Sequence, residues 1–174
     1  MKRKISLLLL AGLFIINECA SAQMGEAKKM VLDVDTTVML NASLSKVWKL
    51  IKDPAKWNEI SNGYITRIET SGDLQSTLER NITFADGTTR TDEVTQFTPQ
   101  YYFIVSKVKS PLPKGISENI YMFSLQAEPG AGTRMKYSIK VDGDAEGKQQ
   151  LLETLKKDMN AFIHGVQKAL ESGS

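Results

Sequence analysis

Apolar and polar residues alternate along most of this chain, and a period of two predicts β-strands. Residues 31–40 form the first such run, whose apolar face carries Leu32, Val34, Thr36, Val38 and Leu40. Six more runs follow, at residues 64–70, 74–84, 88–98, 101–108, 118–127 and 133–141. The breaks between most of them carry Gly, Pro or Asp, so consecutive strands are expected to pair in an antiparallel sheet.

The pattern changes to helical spacing in three places. Ser43 is placed to cap a short helix that ends at Ile51, and Asp53 and Pro54 favour the start of a second one that contains Trp57. Residues 148–170 carry an apolar stripe along one side, which predicts a long amphipathic helix. The stripe consists of Leu152, Leu155, Met159, Phe162, Ile163, Val166 and Leu170.

The order of these elements predicts the fold class. One strand, two short helices, six strands and a long helix describe an α+β domain, in which a strongly curved antiparallel sheet packs against the terminal helix. Asp86-Gly87 is the sharpest hairpin signal, and a two-residue turn there needs positive φ at both positions. Prolines and a glycine exclude residues 110–117 from a strand interior. Gly143 and Gly147 separate the last strand from the long helix.

The first 22 residues have the features of a secretory signal peptide. Basic residues at positions 2–4 precede an apolar run at positions 5–16, and Ala20 and Ala22 fit a small-residue cleavage site. The run is too short to cross a bilayer, which takes roughly 20 apolar residues. We therefore predict a flexible leader at residues 23–30, a domain at residues 31–171 without a transmembrane segment, and a periplasmic or secreted location.

Composition narrows the function classes once the predicted signal is removed. Residues 1–22 hold three of the 22 Lys and Arg and one of the 20 Asp and Glu, so 19 of each remain and the net charge falls from +2 to zero. Such a chain, without a basic stripe, is a poor partner for nucleic acid. Cys19 lies in the predicted signal, and His164 falls on the predicted solvent side of the last helix. We therefore predict no metal site, no cofactor and no Cys- or His-based nucleophile.

Several short motifs resemble a known superfamily in their order and spacing. They are Leu-Asn-Ala-Ser at residues 40–43 running into Val47-Trp48, Asp53-Pro54 with Trp57, Ser-Pro-Leu-Pro at residues 110–113, and Gly-Thr-Arg at residues 132–134. This arrangement is similar to that of the SRPBCC superfamily, which includes START lipid-transfer domains and birch-pollen-allergen-like proteins. It resembles the polyketide cyclase/dehydrase-like branch in particular, over about residues 31–171. The resemblance implies a helix-grip fold, with a seven-stranded sheet around the C-terminal helix and an apolar cavity between them.

The candidates to line such a cavity share the inner-face parity of a strand or the apolar stripe of the helix. They are Tyr64, Leu78, Phe84, Tyr121, Phe123, Met135, Tyr137, Met159 and Phe162. The resemblance adds Leu112 and Pro113, as part of a loop that covers the cavity mouth in relatives, although a plain connection between strands fits them too. The same inner faces could pack into a filled core, which is the default for a domain of this size.

Arg80 departs from the apolar pattern, because it shares the parity of Leu78 and Phe84 and so points toward the inner face. A buried guanidinium needs partners. One interpretation is an ion pair with Asp92 or Glu93 on the adjoining hairpin strand, or a bulge that returns Arg80 to solvent. The other is an anchor for a carboxylate or hydroxyl of a ligand in the cavity.

Three function classes remain open at this point. The leading prediction is an exported, non-enzymatic carrier that holds a hydrophobic or amphipathic small molecule, such as a lipid- or polyketide-like compound. The alternative is a cyclase/dehydratase-type lyase in which Arg80, Glu93 and a cavity tyrosine handle protons. A third is an accessory protein that binds a partner, which the sequence does not identify. The superfamily brings no invariant catalytic set, so no catalytic residue is assigned.

Overall fold

The structure is a computed structural model that describes residues 30–130 and 132–172. The predicted signal peptide and nearly all of the predicted leader lie outside these residues. The elements below belong to one unit, Leu32–Ser174. Among the described residues, no helix has both the length and the apolar character needed to span a bilayer.

Strands and helices follow one another in the predicted order. The strands are β1 (Val34–Leu40), β2 (Ile65–Gly72), β3 (Leu78–Phe84), β4 (Thr89–Thr98), β5 (Phe103–Ser110), β6 (Ile116–Glu128) and β7 (Gly132–Gly143). The α-helices are α1 (Leu44–Ile51) and α2 (Ala145–Ser172). Short 3₁₀ helices span Pro54–Ile60 and Pro99–Tyr101.

The seven strands form a single antiparallel sheet in the order β1-β7-β6-β5-β4-β3-β2. From β2 to β7 each strand pairs with its neighbour in sequence, while β1 returns to pair with β7. The long helix α2 lies against β7 and the first 3₁₀ helix, where Gly165 meets the backbone of Ile60 and leaves no room for a Cβ. The predicted α+β fold, a curved seven-stranded sheet around a C-terminal helix, is confirmed.

The two short helices begin where the sequence indicates. The Ser43 side chain accepts a hydrogen bond from the Lys46 N–H at 3.4 Å, which caps α1. The Asp53 carboxylate accepts from the Ala55 N–H at 3.2 Å, with Pro54 as the first residue of the 3₁₀ helix. Both caps satisfy N–H groups that have no partner inside a helix.

The β3–β4 hairpin differs from the two-residue turn that the sequence predicts. Only Gly87 has a positive φ in this turn, at 83°. The Gly87 N–H donates to the Phe84 carbonyl at 3.0 Å, and the Phe84 N–H donates to the Thr88 carbonyl at 2.9 Å. The loop therefore has three residues with a left-handed glycine at its end, a geometry that needs only one positive φ.

Several element boundaries also differ from the prediction: β5 begins at Phe103 rather than residue 101, and β6 begins at Ile116, inside the stretch 110–117 that the sequence predicts as a connection between strands. Two further differences have a clear local cause. The third strand begins at Leu78 rather than residue 74, because the Asp73 carboxylate accepts the N–H groups of Gln75 and Ser76 and holds a turn. The long helix begins at Ala145 rather than residue 148. The Asp144 carboxylate accepts the Gly147 N–H at 2.8 Å, so Gly147 belongs to the first turn instead of ending the preceding loop.

Large aromatic side chains fill the middle of the space between the sheet and α2. The Phe123 ring lies 5.1 Å from Trp57, 4.6 Å from Phe162 and 4.2 Å from Tyr137, measured between ring centroids. All four side chains are buried. The interior is therefore solid at this level, as expected for most domains of this size.

Candidate functional site

A pocket of about 560 Å³ opens at one end of the sheet–helix interface. Three parts of the chain surround it: the β3–β4 turn, the loop that follows β5, and the N-terminal half of α2. The lining residues are Tyr64, Phe84, Asp86, Thr88, Thr89, Arg90, Pro111, Leu112, Pro113, Gln150, Leu151, Thr154 and Lys157.

The pocket lies where β5 stops covering β4. Ser110, the last residue of β5, pairs with Thr91, so the residues of β4 before Thr91 have no β5 partner. The chain then turns away through Pro111, Leu112 and Pro113, and Leu112 remains 39% exposed. The strand end and the loop leave a gap that α2 does not fill.

The wall of the pocket is apolar and its rim is polar. Phe84, Leu112 and Leu151, together with two prolines, supply the apolar part. At the rim, the Thr88 hydroxyl donates to the Asp86 carboxylate at 2.6 Å. Thr154 and Lys157 project from α2 on the other side. More of the lining residues are polar than apolar, so the pocket suits a small molecule that has both an apolar and a polar part.

Arg90 joins the pocket wall to a buried polar network. Its Nε and Nη2 atoms donate to the two oxygens of Asp92 at 2.7 and 2.9 Å, and Nη2 also lies 2.6 Å from Asp158 of α2. The guanidinium stacks on the Phe84 ring at 5.0 Å. Arg90 therefore connects β4 to α2 and forms the floor of the pocket.

Arg80 occupies the packed side of the same network and has no solvent exposure. Its Nη2 donates to the Tyr121 hydroxyl at 2.5 Å, and that hydroxyl donates to Asp92 at 2.6 Å. Asp92 itself lies 3.8 Å from Arg80, and the guanidinium covers the Trp57 ring at 4.4 Å. The predicted ion pair with Asp92 is confirmed, whereas Glu93 pairs with Lys107 instead.

The network contains two arginines and two carboxylates, and these charges, together with burial, shift the pKa values of several of its members. Burial alone would lower the pKa of Arg90, but the charges of Asp92 and Asp158 raise it well above its usual value. Burial raises the pKa of Asp158 despite the nearby Arg90. It also raises the pKa of Tyr64, with a further contribution from Asp158. Tyr64 therefore keeps its proton and can offer a hydroxyl to a guest at the pocket wall.

The structure divides the sequence-predicted site residues into two groups. Tyr64, Phe84, Leu112 and Pro113 line the pocket. The others belong to the buried interior and do not border it: Leu78, Arg80, Tyr121, Phe123, Met135, Tyr137, Met159 and Phe162. A role in ligand binding stays a prediction for both groups, although only the first is placed to touch a guest without rearrangement.

Sequence reasoning missed several residues of the pocket, above all Arg90. Arg90 shares the strand parity of Asp92 and Val94, so the signal that placed Arg80 inward was available for it as well. Thr154 and Lys157 carry no such signal, because they lie beside the apolar stripe of α2 rather than on it. His164 is exposed, as predicted. Within residues 30–130 and 132–172, no three His, Cys, Asp or Glu side chains converge as a metal site would require.

The curved sheet around α2, with a pocket at one end of their interface, defines a helix-grip protein. A family model described as polyketide cyclase / dehydrase and lipid transport matches residues 31–171. The chain belongs to this family, which confirms the resemblance seen in the sequence. Among curated proteins, none matches the sequence significantly.

Solved structures show the same fold at low sequence identity. The XoxI protein from Bacillus cereus is 14% identical, with a TM-score of 0.66, and the alignment covers 78% of this chain and 93% of that one. The Zhui aromatase/cyclase from a Streptomyces species is 14% identical, with a TM-score of 0.65 and coverage of 79% and 92%. Norcoclaurine synthase from Thalictrum flavum, in complex with dopamine and hydroxybenzaldehyde, is 15% identical, with a TM-score of 0.65 and coverage of 81% and 87%. These likenesses establish the fold and leave the activity open.

Proposed function

We propose that this protein is an exported carrier that holds an amphipathic small molecule in the pocket between the β3–β4 turn, the 111–113 loop and α2. The guest has an apolar body and a polar end, as a lipid- or polyketide-like compound has. The proposal rests on one observation, the pocket of about 560 Å³ with its apolar wall and polar rim. Its volume falls within the range of about 300–1,000 Å³ that small-molecule sites occupy.

The chemistry of the lining supports this choice of guest. Phe84, Leu112 and Leu151 favour a flat or chain-like apolar body, because burial of apolar surface provides most of the affinity at such a wall. The Tyr64 hydroxyl, Thr154 and Lys157 lie where they can orient a polar end.

Carriage fits the network better than catalysis does. The Asp92 carboxylate accepts hydrogen bonds from Arg90 and from the Tyr121 hydroxyl, which keeps it from serving as a free base, and Asp158 forms an ion pair with the same Arg90. Tyr121 is fully buried between Arg80 and Asp92, away from the pocket. The network links β4 to α2 beneath the pocket, although among the described residues both oxygens of Asp158 and some guanidinium nitrogens of Arg80 and Arg90 have no hydrogen-bond partner.

A second candidate is a cyclase/dehydratase-type lyase, favoured by one observation. Tyr64 is a pocket residue that interacts with Asp158 and keeps its proton, so it could donate that proton to a leaving oxygen. In this candidate Arg90 would steady the charge that develops. Export through the predicted signal at residues 1–22 is part of the carrier proposal and applies to both candidates.

Native mass spectrometry of protein isolated from its own host tests the carrier proposal. Thr154→Trp places a large ring in the pocket, and Lys156→Trp, on the exposed side of the same helix, is the matched control. We expect a bound organic mass in the wild type and in Lys156→Trp, and its loss in Thr154→Trp. Empty wild-type protein, or an equal load in both variants, would contradict the proposal.

Tyr64→Phe separates the carrier from the lyase. The substitution removes the hydroxyl and keeps the ring that packs 5.2 Å from Phe84. A carrier holds a compound of the same mass, at lower occupancy because the hydroxyl that orients its polar end is gone, whereas a lyase lacking its proton donor accumulates an unconverted precursor of different mass. The identity of the bound compound, read by fragmentation, decides between them.

A further inference from the structure

The end of the sheet opposite the pocket carries a patch of aromatic and basic side chains, which we call the aromatic–basic patch. Its members are Trp48, Lys49, Lys52, Phe97, Tyr101 and Tyr102. We propose that this patch docks the protein on an anionic membrane surface. The proposal does not depend on what the pocket holds.

The aromatic part of the patch is built from two elements. The Trp48 ring of α1 stacks on Phe97 at the end of β4, with centroids 5.9 Å apart, and meets Tyr102 edge to face at 5.5 Å. None of these three rings is fully buried, and the neighbouring Tyr101 is 73% exposed. Tyrosine and tryptophan combine an apolar ring with a polar atom, which is the combination that the membrane–water interface favours.

Tyr101 is held outward by the local backbone. The 3₁₀ turn Pro99–Tyr101 ends at Tyr102, which adopts a left-handed conformation with φ of 53°. Its N–H donates to the Pro99 carbonyl at 3.2 Å, and its own carbonyl accepts the Leu125 N–H at 3.1 Å. A non-glycine residue rarely adopts this conformation, so the turn presents Tyr101 at a cost in local strain.

The basic part of the patch comes from the helix that carries Trp48. Lys49 follows Trp48 directly in α1, and Lys52, the C-cap residue of that helix, lies four residues after Trp48. Both lysines are exposed, and among the residues that the structure describes neither forms a salt bridge. Residues 95–104, which supply the aromatic turn, contain no acidic residue. These lysines complement the negative charge of anionic lipid headgroups, and they accompany one exposed ring, that of Tyr101, and three partly buried rings that pack against the core.

The position of the patch determines what docking would do. β4 runs from Thr89 at the pocket to Thr98 beside the patch, a strand length of about 30 Å. Docking would therefore hold the pocket mouth away from the bilayer and leave it accessible from the aqueous side. Cargo binding and membrane binding should be separable by mutation.

Co-sedimentation with vesicles tests the proposal on protein isolated from its host. Phosphatidylcholine vesicles with and without phosphatidylglycerol are compared for the wild type, for Lys49→Glu with Lys52→Glu, and for Tyr101→Ser. The control is Lys114→Glu with Lys156→Glu, an equal charge change at exposed positions outside the patch. We expect binding only with phosphatidylglycerol, about tenfold weaker in both patch variants and unchanged in the control.

Three results would overturn the proposal. They are the absence of vesicle binding, an equal loss in the control, and a dimer in solution that Tyr101→Ser abolishes, which would assign the patch to a second copy of the chain. Thermal unfolding checks that each variant is folded, and Lys49→Gln with Lys52→Gln replaces the reversal if it is not. A patch variant that keeps its bound cargo mass but leaves the vesicles shows that docking and carriage are separate.

Discussion

The middle of the sheet–helix interface is filled by side chains, whereas its other end opens into the pocket. In the middle, Trp57, Phe123 and Phe162 lie with ring centroids 4.6–5.1 Å apart and leave no room for a guest. At the pocket end, Phe84 and Leu112 face a space of about 560 Å³. The two regions differ in the elements that pack over them. The middle lies under α2 and paired strands, whereas β5 ends before it reaches the pocket.

The boundary between these regions is the shared carboxylate of Asp92. On the packed side it is reached by Arg80 and Tyr121, and on the pocket side by Arg90. Arg80 and Arg90 belong to a buried charge network that lies between the packed aromatic rings and the pocket. The network thus separates the filled region from the open one.

Removing this shared carboxylate should have the largest effect. Asp92→Ala leaves Arg80 and Arg90 buried without their common partner, and breaking a buried pair of this kind costs about 3–5 kcal/mol. The free energy of unfolding from urea denaturation measures the loss. Glu93→Ala, at the next position and opposite parity, is the control and should cost less than about 1 kcal/mol, because its partner Lys107 is partly exposed. Equal losses would show that the network does not hold the two regions together.

The second test compares the packed and open regions directly. Phe123→Ala should lower the free energy of unfolding by about 3–5 kcal/mol, because it opens a cavity among closely packed rings. Leu112→Ala should change stability by less than about 0.5 kcal/mol but weaken ligand binding by about tenfold. Denaturation and titration of the host-derived ligand measure the two quantities. If Leu112→Ala were the more destabilising change, the 111–113 loop would be part of the core.

The smallest expected effect is on pH dependence, at Asp158. Because its pKa is raised in the folded protein, the folded state binds more protons than the unfolded state above about pH 4, so stability falls as pH rises through that window. Asp158→Asn removes this titration. The stability of the variant relative to the wild type should therefore rise as pH increases above about 4, whatever constant offset the loss of the Arg90 ion pair adds.

Asp33 provides a control of opposite sign. Burial tends to raise its pKa, but hydrogen bonds from Lys148 and the Val141 N–H bring it below its usual value. Asp33 therefore stabilises the folded protein at pH values above its pKa in the unfolded chain, and this stabilisation is lost as pH falls. Asp33→Asn should lose stability most near neutral pH. Denaturation curves across this pH range would contradict the assignment if both variants changed in the same direction.

Local sequence patterns predict much of the fold. The alternation of residues 133–141 predicts the dry face of β7, and the cap signals at Ser43 and Asp53 predict the starts of two helices. Parity alone predicts that Arg80 points to the inner face, with Asp92 or Glu93 as a possible partner, because the side-chain period of a strand is two whatever the strand packs against. The three-residue hairpin at Gly87 was not predicted, since an Asp-Gly pair fits more than one turn.

These local patterns do not predict the pocket. Tyr64 and Tyr137 share inner-face parity, yet one borders empty space and the other is fully buried against Phe123. The alternation of apolar and polar residues predicts which face of a strand is buried, because successive side chains of a strand always point to opposite faces. Whether a dry side is filled depends on where β5 ends, how the 111–113 loop turns and how α2 crosses the sheet, and only the tertiary structure decides these long-range relations.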